Sequence, residues 1–230
     1  MGPRPQVKRV TVDDLRIEVL PEETLEAFRA ATEFAFLEDG WYLAGGTALA
    51  LQVGHRQSFD LDFFTEQKSF NTEDLARTLV AKSDWVTTNE SAGTLYGILR
   101  GAQMSLIAYP FFRPRRAYVQ CGTLRMLTPD DIAAMKIIAL SQRGKKRDFV
   151  DLYWFAAIRG TPLTEILQSA ITQYPEQEHS VPHFIKSLTY FEDAEDDPMP
   201  RLHFEAEWEG IKEYFRREVP LIAEDLLDLK

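Results

Sequence analysis

The feature that most constrains the fold is a strand–turn–helix–strand segment in the first third of the chain. Residues 41–44 form a short apolar segment typical of a strand, and Gly45 and Gly46 interrupt it. Residues 47–53 have the composition of a short helix, and residues 57–64 alternate between polar and apolar side chains. Strands and helices that follow one another this closely predict an α+β fold for this part of the chain.

The strand predicted over residues 57–64 carries two carboxylates on one face. Apolar and polar residues alternate there, with Phe59, Leu61 and Phe63 between Ser58, Asp60 and Asp62. Side chains two residues apart on a strand project from the same face, with backbones roughly 6.5–7 Å apart. Two carboxylates so placed can share hard divalent cations, as in two-metal phosphoryl-transfer sites. An exposed polar strand face is the alternative for this pair considered alone.

The glycine turn before this strand has the composition of a phosphate-binding turn. Gly45 and Gly46 allow the backbone to approach an anion closely, and a helix that begins here presents free N–H groups to it. The hydroxyl of Thr47 adds a further donor. A tight strand-to-helix turn without a ligand is the alternative. The order of turn, helix and carboxylate pair favours a phosphate cradle beside a metal site.

The pattern of the remaining chain changes from mixed to helical. Two further strands are predicted over residues 94–99 and 103–109. Helices are predicted over residues 21–38, 71–82, 129–142, 146–158, 163–174, 183–191 and 205–229. The acidic run at 192–197, followed by two prolines, predicts a surface loop. We therefore expect an α+β domain over residues 1–125 and a helical domain over residues 126–230.

Composition narrows the cellular setting and the class of function. The first residues lack the apolar stretch of a secretory signal, and no apolar run approaches the roughly 20 residues of a membrane helix, so we expect a cytoplasmic protein with no membrane partner. Cys121 is the only cysteine, which excludes an intrachain disulfide and a cysteine-rich zinc site. A net charge of −10 disfavours a protein that coats nucleic acid.

Two basic clusters stand out against this acidic background. They consist of Arg113, Arg115 and Arg116, and of Arg143, Lys145, Lys146 and Arg147. Each is interpreted either as a positive rim for an anionic substrate or as an ordinary solvated surface.

Two blocks of the chain together resemble a known family. The segment 41–66, WYLAGGTALALQVGHRQSFDLDFFTE, closely resembles the nucleotidyltransferase family named for the AbiEii and AbiGii toxins. The resemblance continues over residues 131–153, DIAAMKIIALSQRGKKRDFVDLY, with a helical lysine and an R-D-x-x-D pair, and over residues 187–200, SLTYFEDAEDDPMP. It implies a polymerase-β-like nucleotidyltransferase sheet with flanking helices, followed by a helical C-terminal domain.

The resemblance also implies an activity and its partners. Members are often toxins of bacterial toxin–antitoxin pairs of type IV or of phage-defence pairs, so a cognate antitoxin is expected. The implied reaction is magnesium-dependent transfer of a nucleotidyl group from a nucleoside triphosphate to an acceptor hydroxyl, with transfer RNA (tRNA) as an acceptor in some branches. Manganese is the alternative metal.

Roles for individual residues follow from their positions in the two blocks. The implied catalytic residues are Asp60, Asp62, Lys136 and Asp148. The implied metal ligands are Asp60 and Asp62. The implied nucleotide-binding residues are Gly45, Gly46, Thr47, Arg56, Ser58, Lys136 and Arg143.

Lys136 and Asp148 also have interpretations that need no nucleotide. Lys136 lies in an apolar helical segment, where its ammonium group must reach solvent, an acid or a phosphate. Asp148 and Asp151 lie near a predicted helix N-terminus, where negative charge is favourable. Asp148 is also placed to anchor Arg143 or Lys136.

One departure from the family pattern leaves the chemistry open. Nucleotidyltransferases of this fold commonly add a third carboxylate from a later strand, and here that position falls near Met104 or Ser105. Asp148 substitutes for it, or transfer proceeds without a dedicated base, or the chain binds nucleotides without transferring them. A catalytically degenerate nucleotide-binding module and a kinase-like enzyme that phosphorylates a protein are therefore the alternative functions.

Overall fold

The computed structural model describes residues 7–38, 40–175 and 181–226. It divides into two compact units, Met1–Pro129 and Asp130–Lys230. The first contains the sheet and the second is helical, which confirms the α+β class expected from the sequence.

The first unit is built on one eight-stranded sheet. Its strands are β1 (Lys8–Val10), β2 (Trp41–Ala44), β3 (Leu61–Thr65), β4 (Val86–Ser91), β5 (Thr94–Leu99), β6 (Ala102–Ala108), β7 (Val119–Cys121) and β8 (Leu124–Met126). Their order across the sheet is β1-β7-β8-β2-β3-β6-β5-β4. β2 and β3 pair antiparallel, whereas β3 and β6 pair in parallel, so β3 lies near the centre.

Among the described residues, three α-helices accompany this sheet: α1 (Glu22–Ala31), α2 (Gly45–Val53) and α3 (Thr72–Lys82). Helix α1 is shorter than the helix predicted over residues 21–38. The carbonyl of Thr32 accepts hydrogen bonds from the backbone N–H and the hydroxyl of Thr123, at 2.9 Å each. That carbonyl is therefore used by the β7–β8 turn instead of continuing the helix.

The strand predicted over residues 57–64 begins later than expected, at Leu61. Leu61 and Phe63 are buried as predicted, but Phe59 is 54% exposed, so its expected place on the buried face is wrong. The preceding residues are held by side-chain donors: Thr24 donates to the carbonyl of Phe59 at 2.9 Å, and Thr47 donates to the carbonyl of Asp60. These bonds take the place of strand pairing.

The second unit contains six helices among its described residues. They are α4 (Pro129–Arg143), α5 (Lys146–Tyr153), α6 (Leu163–Gln173), α7 (Val181–Ser187), α8 (Glu192–Glu195) and α9 (Trp208–Leu226). A π-helical segment, Trp154–Ile158, continues α5 to the end predicted for it. The expected loop at 192–197 contains helix α8, whose Ala194 is buried.

Aromatic packing forms much of the core of this unit. Phe149 on α5 is fully buried, and its ring lies 5.0 Å from that of Phe191, 5.7 Å from that of Trp208 and 5.6 Å from that of Phe215. Over both units, none of the helices that the structure describes is both long and apolar enough to cross a bilayer.

Candidate active site

The glycine turn joins β2 to α2 and lies against the carboxylate of Asp62. Gly45 has a φ of 70°, a conformation that glycine adopts without strain. A Cβ atom at Gly45 would lie 3.1 Å from Oδ2 of Asp62. The absence of a side chain at this position therefore keeps the space beside the Asp62 carboxylate open.

The space for a side chain at Gly46 is also restricted, in this case by Arg56. A Cβ atom here would overlap Nη2 of Arg56 and would lie 3.3 Å from Oγ of Ser58. Arg56 is only 3% exposed, and its Nη1 donates to the carbonyl of Gln57 at 2.9 Å. A buried guanidinium group thus lies directly beside the turn, where it contributes positive charge.

Helix α2 begins at Gly45, and no side chain of its N-cap residue caps its first turn. That N-cap residue is Ala44, whose methyl group offers no oxygen to the N–H groups of the first turn. Together with the helix dipole, these amides and the Arg56 guanidinium favour an anion at the turn.

Two hydroxyls expected to bind nucleotide are already occupied within the protein. Thr47 is 2% exposed, and its hydroxyl donates to the carbonyl of Asp60. Because that proton is used, Ser58 is the donor in the 2.8 Å hydrogen bond between the Thr47 and Ser58 hydroxyls. In this arrangement the Thr47 hydroxyl has no proton left for a phosphate, so its backbone amide is the group that we expect to bind nucleotide.

The carboxylate pair is held at the start of β3. Asp62 pairs with Ala44 of β2 and with Ser105 of β6, so it lies between those strands. Asp60 is one residue before the strand, and its carbonyl is bound to Thr47 in the first turn of α2. Both aspartates are partly exposed. The structure thus brings both next to the Gly45–Thr47 turn.

The position of the expected third carboxylate is occupied by Ser105. Its hydroxyl donates to Oδ1 of Asp62 at 2.6 Å, and the residue is 5% exposed. Met104 pairs with Leu61 and is buried with it on the other face of the sheet. Sequence reasoning located this position to within two residues but missed the bond to Asp62, because only the strand register decides which residue faces the site.

In the second unit, Lys136 is bound by two carboxylates. Its Nζ atom lies 2.7 Å from Oδ1 of Asp148 and 2.6 Å from Oδ2 of Asp151, and all three side chains are buried. Nε of Arg143 lies 3.4 Å from Oδ2 of Asp148. The lysine that looked isolated on an apolar helix therefore has buried acidic partners, and the expected anchoring of Lys136 and Arg143 by Asp148 is observed.

The basic cluster at 143–147 is less available than its sequence suggested. Lys146 is 6% exposed, and its Nζ donates to the carbonyls of Glu195 and Asp197 at 3.0 and 2.6 Å. Lys145 binds the Asp197 carboxylate at 3.2 Å. Lys146 is thus a buried residue rather than part of an exposed positive rim.

The contacts of Asp197 also shift its ionisation. Burial opposes the charged form of this carboxylate. The hydrogen bonds from the Lys146 N–H and the Lys145 ammonium, with the charges of both lysines, outweigh that effect and lower the pKa of Asp197.

Comparison with known proteins identifies relatives over nearly the whole chain. The model of a family described as nucleotidyl transferase AbiEii toxin, type IV toxin–antitoxin system, matches residues 27–100 and 109–228. An uncharacterized protein of Aquifex aeolicus is 34% identical over 203 residues, which cover 87% of this chain and 96% of that protein.

Two solved structures share the fold at low sequence identity. One is described as a proposed nucleotidyltransferase from H. pylori, with a TM-score of 0.52 and 20% identity, covering 91% of this chain and 99% of that one. The other is MenT4, a nucleotidyltransferase toxin of Mycobacterium tuberculosis, with a TM-score of 0.54 and 14% identity, covering 87% and 86% of the two chains.

Proposed function

Because the chain belongs to the AbiEii nucleotidyltransferase toxin family, we propose that it is the toxin of a type IV toxin–antitoxin or phage-defence pair and that it transfers a nucleotidyl group from a nucleoside triphosphate to an acceptor hydroxyl. The observation that carries the proposal is the position of the Asp62 carboxylate, between the glycine turn and Ser105. An anion cradle and a carboxylate in contact are what nucleotidyl transfer requires.

The triphosphate binds at the glycine turn in this proposal. Backbone amides of Gly45, Gly46 and Thr47 face its phosphates, and the Arg56 guanidinium beside Gly46 supplies charge. Ser58 acts indirectly, because its hydroxyl donates to Thr47 and so helps to hold the turn.

Asp60 and Asp62 are the residues that would hold Mg²⁺, with Mn²⁺ as the alternative. The fit rests on the open space that Gly45 leaves beside Oδ2 of Asp62. In the described part of the chain, no group of three or more His, Cys, Asp or Glu residues could hold a metal. Mg²⁺ commonly takes one or two carboxylates and completes its shell with substrate phosphates and water, so a pair of aspartates is a sufficient protein contribution. When bound, the ion neutralises charge on the phosphates.

The chain's own residues then position an in-line displacement. The acceptor oxygen forms a bond to the α-phosphorus while the bond to the pyrophosphate oxygen breaks, and the turn holds the departing pyrophosphate. Ser105 fixes the orientation of Asp62 through its 2.6 Å hydrogen bond. We propose that the hydroxyl proton passes to solvent without a dedicated carboxylate from β6.

Lys136, Arg143 and Asp148 remain proposed members of the site through the family pattern. Because Lys136 lies between two buried carboxylates, binding a phosphate would require it to exchange one of them for the nucleotide. Asp148 would likewise have to release Lys136 before acting as a base. A role for these residues in holding α4 against α5 requires no such rearrangement.

The test is incubation with each labelled triphosphate, total RNA and Mg²⁺, followed by identification of the labelled product. We expect pyrophosphate release and label in an RNA, with tRNA as the first acceptor to examine. Asp60→Asn and Asp62→Asn should abolish both while leaving melting temperature nearly unchanged, because both side chains are partly exposed. Thr88→Asn, at an exposed position on β4, is the control.

Ser105 also supports a second candidate, a nucleotide-binding module that has lost transfer. A module would bind triphosphate and release no product. Release of nucleoside diphosphate with label on a protein would instead identify a kinase-like enzyme. A cognate antitoxin is proposed on family grounds, and co-expression with the neighbouring gene product tests it by relief of toxicity.

A further inference from the structure

The sheet face that carries Asp62 continues into an exposed aromatic and aliphatic surface. Backbone register places Ala44, Asp62, Ser105 and Tyr96 in one row across β2, β3, β6 and β5. Residues paired in register project from the same side of a sheet, and we call this side the front face. Two strand spacings of about 4.8 Å separate Tyr96 from Asp62 along this row.

The outer part of the front face exposes large side chains where a surface strand would ordinarily carry polar ones. Tyr96 is 42% exposed, Ile98 is 37% exposed, and Val86, which pairs with Ile98, is 58% exposed. Leu95 and Leu99, which flank Tyr96 and Ile98 on β5, are fully buried on the opposite face. The alternation along β5 is regular, so the exposed surface is a property of the strand and not of a disordered turn.

The other end of the front face is covered by the chain itself. The ring of Tyr109 lies 5.5 Å from that of Phe64, and the ring of Tyr118 lies 5.5 Å from that of Tyr42. Phe64 and Tyr42 occupy the row next to Asp62 on the same face. The segment 109–118 therefore packs over that side of Asp62, whereas Tyr96, on the other side, is 42% exposed.

The in-line geometry of the proposed reaction indicates which substrate should lie on the Tyr96 side of Asp62. The triphosphate is assigned to the glycine turn, which follows β2, and β2 lies on one side of Asp62. In-line displacement requires the attacking group to approach from the side opposite to the leaving pyrophosphate. With the pyrophosphate held on the β2 side, we expect the acceptor on the side of β6 and β5, where Tyr96 is exposed.

We propose that Tyr96 stacks on the terminal nucleobase of a nucleic-acid acceptor, with Ile98 extending the surface; this rests on the proposed function. The exposed residues of this surface carry no charge, and the amides of Asn89 and Gln103 lie beside Tyr96 and Ile98 in register. A neutral surface with an aromatic ring and amide edges suits a base, whereas phosphates require cations. Among the residues that the structure describes, no aromatic ring stacks on Tyr96, so its ring is available.

The test measures binding in the absence of triphosphate and Mg²⁺, so that it does not depend on transfer. The probe is a short single-stranded RNA whose terminal base is a fluorescent purine analogue that is quenched on stacking. Tyr96→Ala should weaken binding by about 5-fold to 100-fold and abolish quenching, because base–aromatic stacking is sequence-tolerant and strong. Tyr96→Phe should retain both, since it keeps the ring.

Two controls separate stacking from general damage. Tyr190→Ala removes a tyrosine of similar exposure, 40%, in the second unit and should leave binding unchanged. The same RNA without its terminal base should bind wild type and Tyr96→Ala equally. Unchanged affinity in Tyr96→Ala, or an equal loss with the base-free RNA, overturns the proposal.

The outcome is distinguishable from failure of the proposed function. Tyr96-dependent quenching without pyrophosphate release in the presence of triphosphate supports the stacking surface and contradicts transfer. Pyrophosphate release that Asp62→Asn abolishes, with quenching that Tyr96→Ala does not change, supports transfer and contradicts the stacking surface.

Discussion

The two oxygens of the Asp62 carboxylate have different surroundings. Oδ1 accepts the hydrogen bond of Ser105, whereas Oδ2 faces the space that Gly45 leaves open. Oδ2 is therefore the oxygen available to a cation. Where related nucleotidyltransferases commonly place an acid, this chain has a hydroxyl that orients Asp62 and adds no negative charge.

Restoring an acid at position 105 should make stability depend on Mg²⁺. In Ser105→Asp, a third carboxylate next to Asp62 repels it and lowers the melting temperature without metal. Mg²⁺ should restore the melting temperature, because cation binding to the folded state stabilises it. Thermal unfolding with increasing Mg²⁺ measures this, with Thr88→Asp at an exposed position on β4 as control. A loss that Mg²⁺ does not reverse would argue against a shared cation site.

Gly46 and Gly210 form a matched pair for testing the turn. Both lie in helices, α2 and α9, where Gly→Ala ordinarily stabilises by roughly 0.5–1 kcal/mol. A Cβ at Gly210 meets nothing within 4 Å, whereas one at Gly46 overlaps the Arg56 guanidinium. We expect Gly210→Ala to raise the melting temperature with unchanged nucleotide affinity.

The Gly46→Ala protein should bind triphosphate at least about tenfold more weakly in calorimetry, as expected for the loss of a contact to a charged group. Unchanged affinity would show that Arg56 and the turn do not belong to the nucleotide site.

At the scale of elements, the sequence predicts those with a strong local signal. Helix α3 begins at Thr72 with Asn71 accepting from the N–H of Asp74 at 3.0 Å, as its capping residue indicated. Strand β4 was missed, because all six of its residues are exposed and mostly polar. β1, β7 and β8, of three residues each, are too short for a period to be read. Their positions depend on pairing with distant strands, which no local pattern contains.

The packing of α4 against α5 provides a test of Lys136. Lys136→Met leaves two buried carboxylates without their principal cation and should destabilise the protein by about 3–5 kcal/mol. Adding Asp148→Asn and Asp151→Asn should recover most of that loss in denaturant unfolding. Lys82→Met, at an exposed lysine on α3, is the control. If the folded Lys136→Met protein binds triphosphate as tightly as wild type, Lys136 does not belong to the nucleotide site.

The start of α5 should be sensitive to acid through Asp197. Because its pKa is lowered from the ordinary 3.8, this carboxylate stabilises the fold fully above that value, and the contribution is lost as pH falls through the lower folded value. Asp197→Asn should lower the melting temperature near neutral pH. The difference from wild type should shrink as the pH falls below 3.8. A difference that is constant over this range would contradict the ionic origin of the contact.

For the whole molecule, a net charge of −10 requires any nucleic-acid acceptor to dock through local basic groups. Lys145 and Lys146 already bind residues of this chain, Asp197 and the carbonyl of Glu195. Arg115 and Arg116 are exposed in the segment 109–118, which packs on the front face next to the row of Asp62. Because Arg115 and Arg116 are exposed, we propose that they contact acceptor phosphates beyond the terminal nucleotide, whose base is proposed to stack on Tyr96.

The salt dependence of RNA binding distinguishes the two clusters. Each single-strand phosphate contact contributes a slope of about 0.7 in the logarithm of affinity against that of salt, so Arg115→Gln with Arg116→Gln should reduce the slope by about 1.4. Lys145→Gln should change it little, because its charge is already paired within the protein. Binding of free triphosphate should stay unchanged in both variants, since the turn and Arg56 are intact. Equal slopes in wild type and the double variant would show that segment 109–118 does not contact RNA phosphates. Small-molecule and protein acceptors would then be tested.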